Sequence, residues 1–501
     1  MCNRIRDRAF FPGFLLLSGW LWLGFTLPVA GQMPAEQQAK MLLDSGKRAY
    51  NEKNYPFARD RFREFVQRFA NLRDADQARF GLALCLLEGP ERDFDRALEA
   101  LQPLLGQKAF PDYAAAHYRA GVARRGQGLK ALETPATQPQ AKTRFEEAAR
   151  HFATAAEAYL DAARSAASGS VGALADREAG QKARCEQAEM LLRAGQQRLA
   201  GEAVAPFAAD KDWQNSRSLS QGLYCLGVAR FLQDDYAGAG KALGRKDILE
   251  NDIFGTHARY LLARVYHLNQ RQNEREEARI AYQDVLKDHE AGKKKALERL
   301  NQPADPETRQ RLERLARGPD PEHVVKARFF LGMLQVEDGR HGEALDHFKA
   351  FLASNPPKAV AAEAQLQTGV CLVEMKQADD AIRVLQPFVD ANPDLADQAL
   401  YHLARAQLAK ADEKKPETFR PALETFRRAA ERAGQRAAGN PPDPRARPRR
   451  GEILMDLGEA CLRAGFPRDA AAPFTTVIQD KLLPDREDEA TLQLAVAQQL
   501  D

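Results

Sequence analysis

An all-α array of short helix pairs is the fold this sequence predicts, and three observations predict it. A small residue, a second small residue twelve positions on, and a large apolar residue four further on recur along the chain. Between the two small residues lie turn formers such as Asp338-Gly339, where glycine takes the left-handed backbone without a Cβ clash. Ala, Leu, Arg, Gln and Glu dominate, while strand-forming clusters of Val, Ile and Thr are scarce. At 501 residues the chain is long for one compact core. A linear array has no such limit, because each unit packs only on its neighbours.

The least decorated copy is 323–356, HVVKARFFLGMLQVEDGRHGEALDHFKAFLASNP. Leu331-Gly332 sit midway along its first helix, and Ala344, Phe348 and Phe351 follow on the second. Asn355-Pro356 end it, because the residue before proline is pushed out of the α region. Small Gly332 and Ala344 let two backbones approach, and Phe348 fills the space beside them. Gly46/Ala58/Phe62, Gly227/Ala239/Leu243, Gly369/Ala381/Leu385 and Gly458/Ala470/Phe474 repeat this spacing. Other copies stretch the turn: Gly81 to Ala97, Ala263 to Ala278, Ala404 to Ala422, and Gly121 to Ala148. A weaker copy surrounds Ala188 and Ala200, giving about ten repeats of the length expected for a two-helix unit.

Two stretches interrupt the array. Residues 165–175, SAASGSVGALA, predict a flexible link. The charged 287–322 predicts an inserted helix or two with loops, dividing an N-terminal block (32–286) from a C-terminal block (323–501). NPPDPRARPRR at 440–450 predicts an extended, exposed loop. The last helix, in REDEATLQLAVAQQLD, is either a cap or the first half of a further repeat.

Residues 1–31 predict a targeting segment. Arg4, Arg6 and Arg8 precede a nearly apolar run from Phe10 to Val29, and Val29-Ala30-Gly31 offers small residues for cleavage. The run is also near bilayer-spanning length, so a signal peptide and an uncleaved membrane anchor compete. Either reading places the bulk of the chain outside the cytoplasm, in the periplasm or cell envelope or anchored at the inner membrane.

With 73 basic and 70 acidic residues, the charge balance offers no argument for nucleic acid. Cys85, Cys185, Cys225, Cys371 and Cys461 fall in five different first helices, without CxxC spacing. They predict small buried packing residues, with a redox or metal role as the competing reading. GAGK at 238–241 falls inside a second helix and lacks the hydroxyl residue of a phosphate loop. No motif implies an enzyme, a cofactor or a metal.

With Leu331-Gly332, Ala344, Phe348, Pro356 and their counterparts in view, residues 39–501 resemble the tetratricopeptide repeat family. The family's early Trp is absent; Arg328, Gln365 and Leu454 stand in its place. YPFARDRFREFVQRFAN and GEALDHFKAFLASNP look like repeats of bacterial envelope proteins of that family. The resemblance implies a right-handed superhelix of antiparallel helix pairs, a concave groove lined by first helices, and non-catalytic peptide or protein binding. Leu43 and Lys47 stand where the chaperone-adaptor clamp for a C-terminal carboxylate needs Lys and Asn, so that ligand is not implied.

Positions flanking the small residue of each first helix then become candidates. Three before it lie Tyr118, Tyr224, Tyr260, Phe329 and Tyr401; one after it lie Lys47, Arg264, Met333 and Arg405. Tyrosine and arginine suit a peptide groove, a rigid ring beside a fork of donors. Packing of these rings between adjacent first helices is the competing reading. The expected function is an exported scaffold binding protein segments, or alternatively a membrane-anchored assembly subunit of an envelope complex.

Overall fold

The computed structural model describes residues 33–501 except 168, 270–271 and 304–305. The targeting expectations for 1–31 lie outside the described residues. No strand occurs among the described residues, and no helix there is long and apolar enough to cross a membrane.

The contacts divide the chain into two compact units, one ending at Ala123 and one beginning at Arg124. The first contains α1 (Ala35–Asn51), α2 (Tyr55–Arg68), α3 (Ala75–Glu88), α4 (Phe94–Leu101) and the start of α5 (Tyr113–Ala131). The second begins with the rest of α5 and α6 (Gln138–Ser165), then α7 (Val171–Arg193) and α8 (Gln197–Val204). One-turn helices α9 (Pro206–Ala209) and α10 (Lys211–Gln214) precede α11 (Leu219–Phe231) and α12 (Tyr236–Leu243). The short α13 (Lys246–Leu249) leads to α14 (Gly255–Asn269), α15 (Gln272–Leu300) and α16 (Pro306–Arg317). Three regular pairs follow: α17 (Glu322–Glu337) with α18 (His341–Ala353), α19 (Lys358–Glu374) with α20 (Ala378–Ala391), and α21 (Ala396–Leu408) with α22 (Arg420–Ala437). α23 (Ala446–Arg463) pairs with α24 (Pro467–Gln479), and α25 (Glu487–Leu500) packs on α24 through Ala490 and Ala497.

The small residues do what their spacing predicts. A Cβ on Gly332 would lie 2.9 Å from the Phe348 ring, so only glycine lets that ring sit against the first helix. Phe62 is shared between neighbours: a Cβ on Gly46 would reach it at 2.8 Å and one on Gly81 at 2.7 Å. One ring therefore seals its own pair and the next. Full burial of such a side chain contributes roughly 2–3 kcal/mol. The weak copy is a complete pair, with Ala188 and Ala200 both fully buried.

The turns repeat as well. Seven residues after the small residue, Lys53, Gly195, Asp234, Gly339, Lys376 and Gly465 all have φ between 59° and 76°. In the copy at 323–356, Gly339 N–H donates to Val336 (3.0 Å) and Arg340 N–H to Gln335 (2.7 Å). This reverse-turn pattern satisfies the last carbonyls of the first helix.

Two expectations about interruptions change, and the third gains detail. α7 begins at Val171 because the Ser170 hydroxyl accepts from Ala173 N–H, so the link shrinks to 166–170. Residues 446–450 are helical, not extended: Pro448 lies in the first turn of α23, where a missing N–H breaks no helical bond. The charged 287–322 is the second half of α15, then α16 and a tied loop. The Asp320 carboxylate accepts from His289 (2.9 Å), Lys293 (3.1 Å) and Arg328 (2.5 Å), joining α15 to α17. Against the opposing effect of burial, these hydrogen bonds and the Arg328 charge hold its carboxyl well below the usual range.

All five described cysteines are buried and free. Burial pushes the Cys85 thiol up to about 12 and those of Cys371 and Cys461 to about 11. Neutral thiols make poor nucleophiles.

Candidate functional site

Successive first helices are laced by polar contacts along one face. In the first unit, Lys47 donates to Gln77 (2.9 Å), Tyr50 to Glu88 (2.6 Å), and Arg119 pairs with Glu88 (2.8 Å). In the second, Glu186 receives Arg125 and Lys182, and Lys182 donates to Gln221 (2.6 Å). Further along, Arg405 donates to Glu374 (2.8 Å) and Tyr401 to Asp456 (2.9 Å). The cause is geometric: first-helix side chains near the small residue reach the next first helix, and a hydrogen bond satisfies what burial would otherwise strand.

The candidate residues divide by environment. Tyr224, Tyr260 and Arg264 join one aromatic and histidine cluster. The Tyr224 hydroxyl and His257 Nδ1 share a hydrogen bond (2.6 Å), and the Tyr224 ring stacks on Phe254 at 4.5 Å. His257 lies 5.3 Å from the His323 ring and 6.0 Å from that of Tyr260. Tyr260 is 7 % exposed, and its hydroxyl is pushed up to about 12 by burial. Burial likewise holds His257 and His323 down at about 4, so both rings are neutral. The Arg264 guanidinium lies 3.6 Å from the centre of the Phe330 ring, a cation–π contact.

Phe329 is also 7 % exposed, packed against Phe330, Phe348 and Phe351. Tyr260 and Phe329 are therefore packing residues between helices, the competing reading of their positions. Met333 is half-buried against the same cluster as Phe329, and Tyr118 is half-buried. Tyr401 and Arg405 remain partly exposed and adjacent, the guanidinium 5.8 Å from the ring centre. They are the two candidates that keep both a π-face and a set of donors near solvent. Burial raises the Asp456 carboxyl above its ordinary value despite the Tyr401 hydrogen bond.

A second concavity escapes sequence reasoning based on first helices. An open groove of about 630 Å³ runs over α6, α7 and α8 and includes Leu160, Leu191, Leu199 and Trp213. It exists because α6 has 28 residues whereas α8 has only eight. Pro206 then turns the chain, and Trp213 packs edge-on to Phe207 at 4.9 Å. The only sequence signal was APF-to-DKDW, a break in the second helix.

Among the described residues, no group of three or more His, Cys, Asp or Glu is placed to hold a metal ion. The arrangement offers hydrogen-bond donors, rings and a carboxylate, suited to recognition of a peptide.

Residues 335–408 match the family model described as tetratricopeptide repeat. No curated protein matches the chain. Among solved structures, the apo form of RapI is similar with 13 % identity and a TM-score of 0.41, covering 74 % of this chain and 98 % of that one. Yeast Tom70 is similar with 15 % identity and a TM-score of 0.28, covering 93 % and 96 %. A signal-transduction ATPase with a tetratricopeptide repeat sensor from Pyrococcus horikoshii has 13 % identity and a TM-score of 0.43, covering 88 % of this chain and 57 % of that one.

Proposed function

We propose that the chain is a tetratricopeptide repeat protein, as the match over residues 335–408 and the repeated helix pairs support, and that it is an exported, non-catalytic scaffold binding a segment of a partner protein on the first-helix face. The observation that carries this reading is the Tyr401–Arg405 step. There a partly exposed ring and guanidinium stand side by side, and each already uses a neighbouring carboxylate as a peptide would be used. A bound segment supplies carbonyls and carboxylates to Arg405 and apolar surface to Tyr401 and Met333. Tyr260 and Phe329 shape that face from beneath. Arg264 lies over Phe330, with Nη1 3.5 Å from His267 Nδ1.

Export is part of the same proposal. The basic start, apolar run and small residues before Gln32 support it. Mass spectrometry of the protein from its native membrane and soluble fractions is expected to find a mature N-terminus at Gln32. An intact residue 1 in the soluble cytosolic fraction would overturn it.

The binding test is capture of partners from envelope extract by the wild type and by Tyr401→Ala/Arg405→Ala. A partner recovered by the first and lost by the second is expected. Equal recovery by both counts against the first-helix face.

A further inference from the structure

The ninth and tenth pairs form a third concavity, distinct from the groove over α6–α8. An open groove of about 560 Å³ lies where the end of α22, the start of α23 and the end of α24 meet. Gly434, Ala437 and Ala438 make its floor. Its charged lining is Arg447, Arg450 and Lys481 against one acid, Asp480.

The charges are not cancelled within the groove. Arg450 donates to the Asp480 carboxylate (3.3 Å), which accounts for that acid. Arg447 donates to the Asp480 main-chain carbonyl (2.7 Å), which leaves its charge unneutralised. Lys481 is exposed, has φ 45°, and has no ion-pair partner among the described residues. Capping of a helix end explains the Arg447 bond, but not Lys481 or the excess of cations in an open groove.

The local sequence builds this excess. Residues 414–450 carry eleven Lys and Arg against four Asp and Glu, in a chain that is otherwise balanced. Arg436 and Arg449 are committed to the buried Asp397, and Arg427 to Asp469. Of the remainder, Arg447 and Arg450 line the groove, and Lys481 joins them from the end of α24. Gly434 leaves room beneath the guanidinium: a Cβ there would lie 3.3 Å from Arg450 Nε, so a larger side chain would displace the arginine.

We propose that this groove docks an acidic, extended segment of a protein partner, whose carboxylates pair with Arg447 and Lys481. Charge complementarity selects the occupant. The small floor lets a peptide backbone approach, and forked donors above it match carboxylate geometry. The interaction is sensitive to salt because the cations lie at the surface.

The test uses fluorescence anisotropy on the purified full-length protein with a labelled Asp/Glu-rich octapeptide at low ionic strength. Arg447→Glu/Lys481→Glu is expected to weaken binding by about tenfold or more. The same charge change placed elsewhere, Lys40→Glu/Lys108→Glu, is expected to leave it within about twofold, since exposed charges beyond a screening length contribute little. Gly434→Leu fills the floor, keeps every charge, and is also expected to weaken binding, with circular dichroism reporting the fold of each variant. Three outcomes overturn the proposal: no saturable binding, equal loss in the remote charge variant, or tighter binding of a single-stranded oligonucleotide than of the peptide.

Discussion

Tyr260-Leu-Leu-Ala-Arg264 and Tyr401-His-Leu-Ala-Arg405 are near copies in sequence and occupy the same place in their repeats. Their surroundings differ sharply. Tyr260 is buried among Tyr282, His257 and His323, and Arg264 lies flat on Phe330. Tyr401 stays partly exposed, donates to Asp456, and Arg405 turns back to Glu374. The difference sits in the next first helix. Two positions before its small residue stands Phe330 in one case and Asp456 in the other. A π-face draws the guanidinium inward, whereas a carboxylate draws the hydroxyl across. In a repeat array the role of a residue is set by the neighbouring unit as much as by its own.

The largest effect that separates the two copies is loss of the ring. Tyr260→Ala should cost roughly 3–5 kcal/mol, because it empties a packed site. Tyr401→Ala should cost roughly 1–2 kcal/mol, since partial exposure leaves less transfer energy to lose. Urea denaturation of both variants checks this. Equal losses would break the comparison.

The two copies should also answer pH in opposite directions. His257 and His323 have folded values near 4, below the ordinary 6.5, because burial outweighs Glu322; Lys326, His289 and the pair's mutual repulsion act the same way as burial. Between those values the unfolded chain binds protons that the folded chain refuses, so stability present above pH 6.5 is lost as pH falls toward 4. His257→Gln/His323→Gln should flatten that acid loss by on the order of 2 kcal/mol. Denaturation midpoints at pH 7 and pH 4.5 measure it, and parallel curves for wild type and variant would sink it.

Asp456 has the opposite sign. Its folded carboxyl is raised, chiefly by burial, so its favourable contribution is present in acid and lost as pH rises through the raised value. The Tyr401 hydrogen bond opposes that rise. Tyr401→Phe should therefore cost about 1–2 kcal/mol at pH 7 and less as acid titrates the carboxyl. A cost independent of pH would show that the hydroxyl does not serve the carboxylate.

The comparison also explains how far the sequence could be read. The helix pairs were legible because the small-residue contacts are local: Gly332 meets Phe348 sixteen positions away, within one unit. The left-handed turns were legible at Gly339 but not at Lys53, Asp234 or Lys376, whose residue types do not announce positive φ. In the third copy the stretched spacing concealed longer helices, with Gly128 against Phe145. The fate of Tyr260 was not legible, because the chain between it and Phe330 includes two further helices. The groove at Arg447 and Lys481 was hidden for the same reason: its walls lie more than thirty residues apart.

The smallest effect is the most informative about function. Arg264 over Phe330 is a partly desolvated contact, and Arg264→Ala should cost roughly 1–2 kcal/mol. Arg405 pairs with Glu374 at the surface, both about one-third exposed, and Arg405→Ala should cost less than about 0.5 kcal/mol. An arginine that contributes so little to the fold can exchange its carboxylate for one on a partner at little cost. Arg405→Ala is thus expected to leave the unfolding midpoint nearly unchanged while weakening partner capture. If it instead destabilises the chain as much as Arg264→Ala, the two copies are both structural, and the first-helix face loses its best-placed donor.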